Sequence, residues 1–235
     1  MITLRRTGER HHDRRRKHEV WLTFDEKDRN DPLADGFGAL QILDEDRLSP
    51  GADLSRRPDR DAEIVTYVCG GALAYDDSTG RPGVIQAGEF RRTTARRGRR
   101  QHETNASRSD WAHVFQIWLR PTPAAVDSDH EQKRFSTAER RGELCIVASP
   151  DARRGSLRLN QDALLYSAMI DPGRHVVHEL SQRRSAWLHI VQGEVTLEDI
   201  VLTTGDAVGV TAERAVSLTA RVPTEILLLD LGDRA

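Results

Sequence analysis

Six arginines fall within the ten residues Arg91-Arg92-Thr93-Thr94-Ala95-Arg96-Arg97-Gly98-Arg99-Arg100. Guanidinium forks match carboxylates and phosphates in two-point contacts, so Arg96, Arg97, Arg99 and Arg100 form a candidate anion site. The simpler reading is a solvated loop paired with local acids, because no aromatic residues interleave as a stacking platform requires. Three imidazoles later in the chain, His175, His178 and His189, are conceivable metal donors, the first two being three residues apart. No carboxylate stands at a matching later position, so hydrogen-bonded or surface histidines are the expectation there. Asp61 and Glu63 share one strand face and read as local charge pairing. A Ser-His-Asp arrangement, a phosphate-cradling glycine loop and a zinc-type cysteine spacing are all missing from the chain.

The elements that must position these groups read as strands. Glu63-Ile64-Val65-Thr66-Tyr67-Val68-Cys69 is β-branched and aromatic, stops at Gly70-Gly71, and resumes as Ala72-Leu73-Ala74-Tyr75. Gly83 to Phe90 is a short strand entering a glycine-centred turn, and His113 to Leu119 is a strand of the fully buried type. The second half repeats this grammar with Ala186 to Gly193, Glu194 to Leu197, and Thr203 to Val208, and a final strand follows at Glu225 to Leu231. The turns Gly88-Glu89 and Gly205-Asp206 stand about half a chain apart, which points to an internal duplication. Pro121-Thr122-Pro123 ends a strand, and the polar segment after it reads as a surface linker with one short helix around Thr137 to Arg141. The first fifty residues are less regular, and Arg14-Arg15-Arg16-Lys17-His18 is most simply a solvated loop or edge.

With 235 residues the chain can form two domains of roughly 100 residues each. Lys plus Arg (35) and Asp plus Glu (37) nearly cancel, so there is no global field to steer nucleic acid or an anionic membrane. The N-terminus has no apolar stretch of the secretory kind, no segment is apolar for long enough to span a bilayer, and a cytoplasmic location is expected. The two cysteines, Cys69 and Cys145, lie among β-branched neighbours and read as buried thiols.

Several ordered stretches are similar to the pirin family. They are Asp35-Gly36-Phe37-Gly38-Ala39-Leu40, Asp44-Glu45-Asp46-Arg47 through Pro50-Gly51, Arg60 to Val68, Phe115-Gln116-Ile117-Trp118-Leu119, Glu131 to Phe135, and Ala148-Ser149-Pro150. The resemblance runs from about Asp31 to the C-terminus. It implies an all-β bicupin, two similar antiparallel barrels of the jelly-roll type in one chain. On that reading residues 1–120 form the N-terminal barrel, 121–142 the linker with its short helix, and 143–235 a structural C-terminal barrel.

The resemblance also implies where chemistry would sit. Family members hold iron or another divalent metal with two histidines of a His-Pro-His-Arg-Asp segment and with a later His-x-Glu pair; some oxidise flavonols such as quercetin, and others are nuclear cofactors of transcription. Here the first segment reads Arg57-Pro58-Asp59-Arg60-Asp61, and the later pair reads Gln101 and Glu103. Three of the four ligands are replaced. Arg57 offers only N–H donors and cannot ligate a cation. Asp59, Gln101 and Glu103 supply oxygens, a set that prefers calcium, magnesium or manganese to redox-competent iron. His102 is adjacent, but neighbouring strand residues point to opposite faces, so it becomes a substitute ligand only if a bulge re-aims it. Arg57 is expected to pair with Glu103, and with Asp59, inside the barrel, because a buried carboxylate needs a cationic partner.

The expectation is a pirin-like bicupin without quercetinase activity and without a cofactor, binding an unknown small molecule or protein rather than nucleic acid or membrane. The alternative is a quercetin 2,3-dioxygenase-like enzyme with a non-standard metal site at Asp59, Gln101, Glu103 and His102. A regulatory module using the Arg91 to Arg100 stretch is a third reading.

Overall fold

Ile64-Val65-Thr66-Tyr67-Val68 carries a β-branched or aromatic side chain at every position, as suits a strand covered on both faces, and all five residues are buried. The computed structural model describes residues 1–54, 61–76, 81–95, 102–120 and 130–232. Among them the architecture is nearly all strand, and no helix is long and apolar enough to cross a membrane. The chain divides into two compact units, one of His11–Gly36 and Leu40–Arg134, the other of Met1–Arg10, Phe37–Ala39 and Phe135–Ala235.

Strand β1 (Ile2–Arg5) belongs to the second of these, the C-terminal unit. The N-terminal unit is built from β2 (His11–Arg15), β3 (His18–Leu22), β4 (Leu40–Leu48), β5 (Ala62–Gly70), β6 (Ala72–Asp76), β7 (Pro82–Gln86), β8 (Glu89–Ala95), β9 (Glu103–Asn105), β10 (Ala112–Leu119) and β11 (Glu131–Arg134). Among the described residues these form a sheet in the order β11-β8-β5-β10-β4-β3-β2 and a smaller one in the order β7-β6-β9. Strict alternation sends Ile64, Thr66 and Val68 to one face of β5, and Glu63, Val65 and Tyr67 to the other. Tyr67 stacks on Phe90 with ring centroids 4.1 Å apart. The basic run near the N-terminus is an edge hairpin, β2 with β3. Arg14 pairs with Glu19 at 2.8 Å and His12 stacks on Trp21. Charge of this kind blunts an open sheet edge.

The C-terminal unit holds a one-turn helix, α1 (Thr137–Arg140), capped by Ser136, whose Oγ accepts from the Glu139 backbone N–H. Its strands are β12 (Cys145–Ser149), β13 (Leu157–Arg158), β14 (Ala163–Ile170), β15 (His175–Glu179), β16 (Ser185–Gln192), β17 (Glu194–Leu197), β18 (Ile200–Thr203), β19 (Ala207–Val210), β20 (Ala215–Ala220) and β21 (Thr224–Leu231). The sheet orders are β1-β19-β16-β21-β14-β12-β13 and β15-β20-β17-β18. Leu188, Ile190, Val195, Leu218, Ile226 and Leu228 fill one continuous core. Asp206 ties β1 to this unit. Burial would raise its pKa, but the backbone N–H groups of Thr203 and Thr7 and the Arg6 side chain outweigh that and hold it below the usual range. Cys69 and Cys145 are thiols of intermediate burial, more accessible than their β-branched neighbours suggested.

The β16–β17 turn depends on Gly193, which has φ +103°. A Cβ there would lie 2.4 Å from Thr224 Oγ1 and 2.6 Å from the Pro223 carbonyl oxygen. Gly193→Ala is therefore expected to cost about 2–3 kcal/mol. Urea unfolding should show a lower midpoint at an unchanged slope.

Candidate functional site

The inward face of the large N-terminal sheet has apolar layers at both ends. Leu48, Val68, Leu73 and Val114 pack in one, and Ala62, Ile64, Ala95 and Trp118 in the other. Between them a single cross-strand row is polar. Register places Asp44 of β4 opposite Gln116 of β10, Gln116 opposite Thr66 of β5, and Thr66 opposite Arg91 of β8. All four are at most 5% exposed. Polar side chains are kept at such depth only when they bond to one another or to a ligand.

Glu103 joins this row from the smaller sheet, where β9 pairs with β6 and Glu103 lies opposite Tyr75. Its carboxylate is 3% exposed. Gln116 Nε2 donates to Glu103 Oε2 at 2.9 Å, and the Arg91 guanidinium lies 3.7 Å from Glu103 Oε1. The same guanidinium sits over the Tyr75 ring, 3.5 Å from its centroid, a cation–π contact that fixes its position. Thus the cationic neighbour seen beside Glu103 is Arg91. The expected partner, Arg57, lies outside the described residues, as do Asp59 and Gln101. The backbone leading toward them is nevertheless anchored at the site, since Leu54 N–H bonds the Glu103 carbonyl and Asn105 N–H bonds that of Ala52.

His102 takes the side of β9 opposite to Glu103. It is exposed and lines an open pocket of about 340 Å³ with Thr104, Tyr75 and Val84. The alternation Glu103 in, Thr104 partly out, Asn105 in is the ordinary pleat of a strand. The candidate anion site of Arg96, Arg97, Arg99 and Arg100 falls outside the described residues. Arg92, at the start of that stretch, is buried between Glu63 and Glu131 at 3.9 and 3.2 Å.

The histidines of the C-terminal unit do not converge. His175 bonds Thr219 and Ser217, His178 bonds Asp230 at 2.8 Å, and His189 is fully buried on β16. Among the described residues no three His, Cys, Asp or Glu side chains gather as a metal site, but three of the four positions implied for one lie outside that set.

The donor chemistry fits a hard divalent cation better than an imidazole-held one. Glu103 brings a desolvated carboxylate oriented by the Gln116 amide, the arrangement by which outer hydrogen bonds hold a ligating oxygen. Asp59 and Gln101, which the family resemblance implies for the same site, would add only oxygen donors.

Comparison with known proteins places this chain in a family. Residues 3–119 match the family described as Pirin, and residues 146–231 match the Quercetinase C-terminal cupin domain. A quercetin 2,3-dioxygenase of Escherichia coli strain K12 is 35% identical over 231 residues, covering 98% of this chain and 99% of the relative. The crystal structure of the bacterial pirin YhhW from Escherichia coli in complex with nickel(II) superposes with a TM-score of 0.88. It is 33% identical and covers 99% of this chain and all of that one. YhaK, also from Escherichia coli, is 27% identical with a TM-score of 0.73, covering 86% of this chain and 89% of that one. The nickel complex overturns the expectation that no cofactor is involved. Physically, a buried carboxylate such as Glu103 is itself a donor for a divalent cation, so the loss of imidazoles alone does not argue against a bound metal.

Proposed function

Because the chain belongs to the pirin family of bicupins, we propose that its N-terminal barrel is a divalent-cation site rebuilt on oxygen donors, which binds a small polar ligand and has left flavonol oxidation behind. The observation that supports this most is Glu103, a buried carboxylate held by Gln116 in the place where the family keeps its acidic ligand. Glu103, Asp59 and Gln101 would hold the cation, and Arg57, unable to donate a lone pair, reduces the donor set by one. A bound cation would supply positive charge to polarise an oxygen of the ligand. Arg91 holds a permanent positive charge beside Glu103, which lowers the affinity for any cation and favours ligands that bring negative charge of their own.

The test is elemental analysis followed by calorimetric titration with manganese(II) and nickel(II). Manganese is expected to bind at one per chain and more tightly than nickel, with Glu103→Gln weakening it by tenfold or more. Oxygen uptake with quercetin should not exceed the protein-free rate. Tight nickel binding with quercetin-dependent oxygen uptake would instead establish the second reading, an active quercetin 2,3-dioxygenase-like enzyme. That reading draws on the 35% identity to the Escherichia coli dioxygenase.

A further inference from the structure

We propose that an open pocket of the C-terminal unit binds a small organic anion with a flat apolar body, an aromatic carboxylate being the chemistry that fits. The pocket encloses about 730 Å³, within the size range of small-molecule sites. It lies between the turn joining β15 to β16 and the turn joining β19 to β20, and it has an apolar and a cationic side.

Phe37 and Leu180 form the apolar side. Phe37 is rigid: its ring packs 5.2 Å from that of Trp187 and rests on Gly209, where even a Cβ would come within 2.5 Å of it. The cationic side carries Arg183, Arg184 and Arg214. Arg184 is already engaged by Asp162 and Asp230. Arg183 and Arg214 are exposed, and among the described residues neither guanidinium has a hydrogen bond or an ion pair. The acid at the rim, Glu213, is engaged by the Met1 ammonium at 2.6 Å. Two available guanidinium groups thus face a fixed aromatic wall, with no uncommitted carboxylate beside them. A carboxylate satisfies the guanidinium forks in two-point fashion, and a ring behind it covers Phe37 and Leu180. Inorganic phosphate would leave that wall in water. Arg183 is held at φ 65° and Ala212, on the facing turn, at φ 59°, so both rims are set by left-handed non-glycine residues.

The experiment titrates the full chain with 1-naphthoate, 1-naphthylmethylammonium and inorganic phosphate, followed by calorimetry and by NMR. Saturable binding of naphthoate alone is expected. Arg183→Ala combined with Arg214→Ala, two exposed positions whose loss leaves the fold intact, should weaken it by about tenfold or more. Phe37→Leu should weaken naphthoate further without affecting the thermal melt of the N-terminal unit. Absence of saturable binding, equal binding of the ammonium analogue, or binding unchanged in the double variant would overturn the proposal. Phosphate binding as tight as naphthoate would overturn the aromatic part of it.

Discussion

Arg91→Met should lower the stability of the N-terminal unit by about 3 kcal/mol, and the same variant should bind manganese(II) more tightly than the parent protein. Both expectations come from one geometry. The Arg91 and Glu103 side chains are 5% and 3% exposed and 3.7 Å apart, so removing the guanidinium leaves the Glu103 carboxylate desolvated. Breaking a buried pair from one side typically costs about 3–5 kcal/mol, and the low end applies because Gln116 still donates to Glu103. Arg91 also packs against Tyr75, and methionine keeps most of that contact while losing the charge. A cation entering beside Glu103 meets like charge from Arg91. At an effective dielectric of 20, unit charges about 4 Å apart repel by about 4 kcal/mol, so even strong relaxation leaves a tenfold gain on its removal. Saturating manganese should then return part of the lost stability, about 2.7 kcal/mol at one hundred times its dissociation constant. Urea unfolding of Arg91→Met, of Glu103→Gln and of the double variant, with and without manganese, checks this. Additive losses in the cycle would show that the two side chains do not interact.

Much of the sheet framework is visible in the residues themselves because burial on both faces demands uninterrupted β-formers. Glu63 to Cys69 reads as a strand and β5 spans Ala62–Gly70; His113 to Leu119 reads as a strand and β10 spans Ala112–Leu119. The half-chain repeat of glycine turns reads as a duplication, and a bicupin is what the family matches support. Two things are hidden. β1 pairs with β19 about 200 residues away, and a four-residue strand leaves no local sign of so distant a partner. The polar row is hidden differently. Asp44, Gln116 and Arg91 look like ordinary polar residues until the register of four strands places them side by side. One signal was available: Gln116 interrupts Val114-Phe115-Gln116-Ile117-Trp118, a run otherwise apolar on both faces. A polar residue in such a strand needs a buried partner, and Glu103 is that partner.

The second large effect is expected in the C-terminal unit, where Asp230→Ala should cost about 3–4 kcal/mol while Asp162→Ala costs less than about 1 kcal/mol, although both acids bind the same arginine. The contrast is one of burial. Asp230 is 4% exposed and accepts from His178 Nε2 at 2.8 Å through one oxygen and from Arg184 Nε through the other, while its carbonyl takes a third bond from Arg184. Removing that carboxylate takes the Asp230 partner from His178 and the more buried of its two acidic partners from Arg184, side chains that are only 11% and 17% exposed. Asp162 is 66% exposed, so water substitutes for it at once. Burial also raises the pKa of Tyr166, whose ring lies 4.8 Å from that of His178. Thermal melts of the two single variants and of His178→Gln separate the contributions. Equal losses for Asp230→Ala and Asp162→Ala would mean that Arg184 is held by its exposed contact as firmly as by its buried one. Loss of naphthoate binding in Asp230→Ala but not in Asp162→Ala would show that the buried pair, by fixing Arg184, also sets the shape of the pocket beside it.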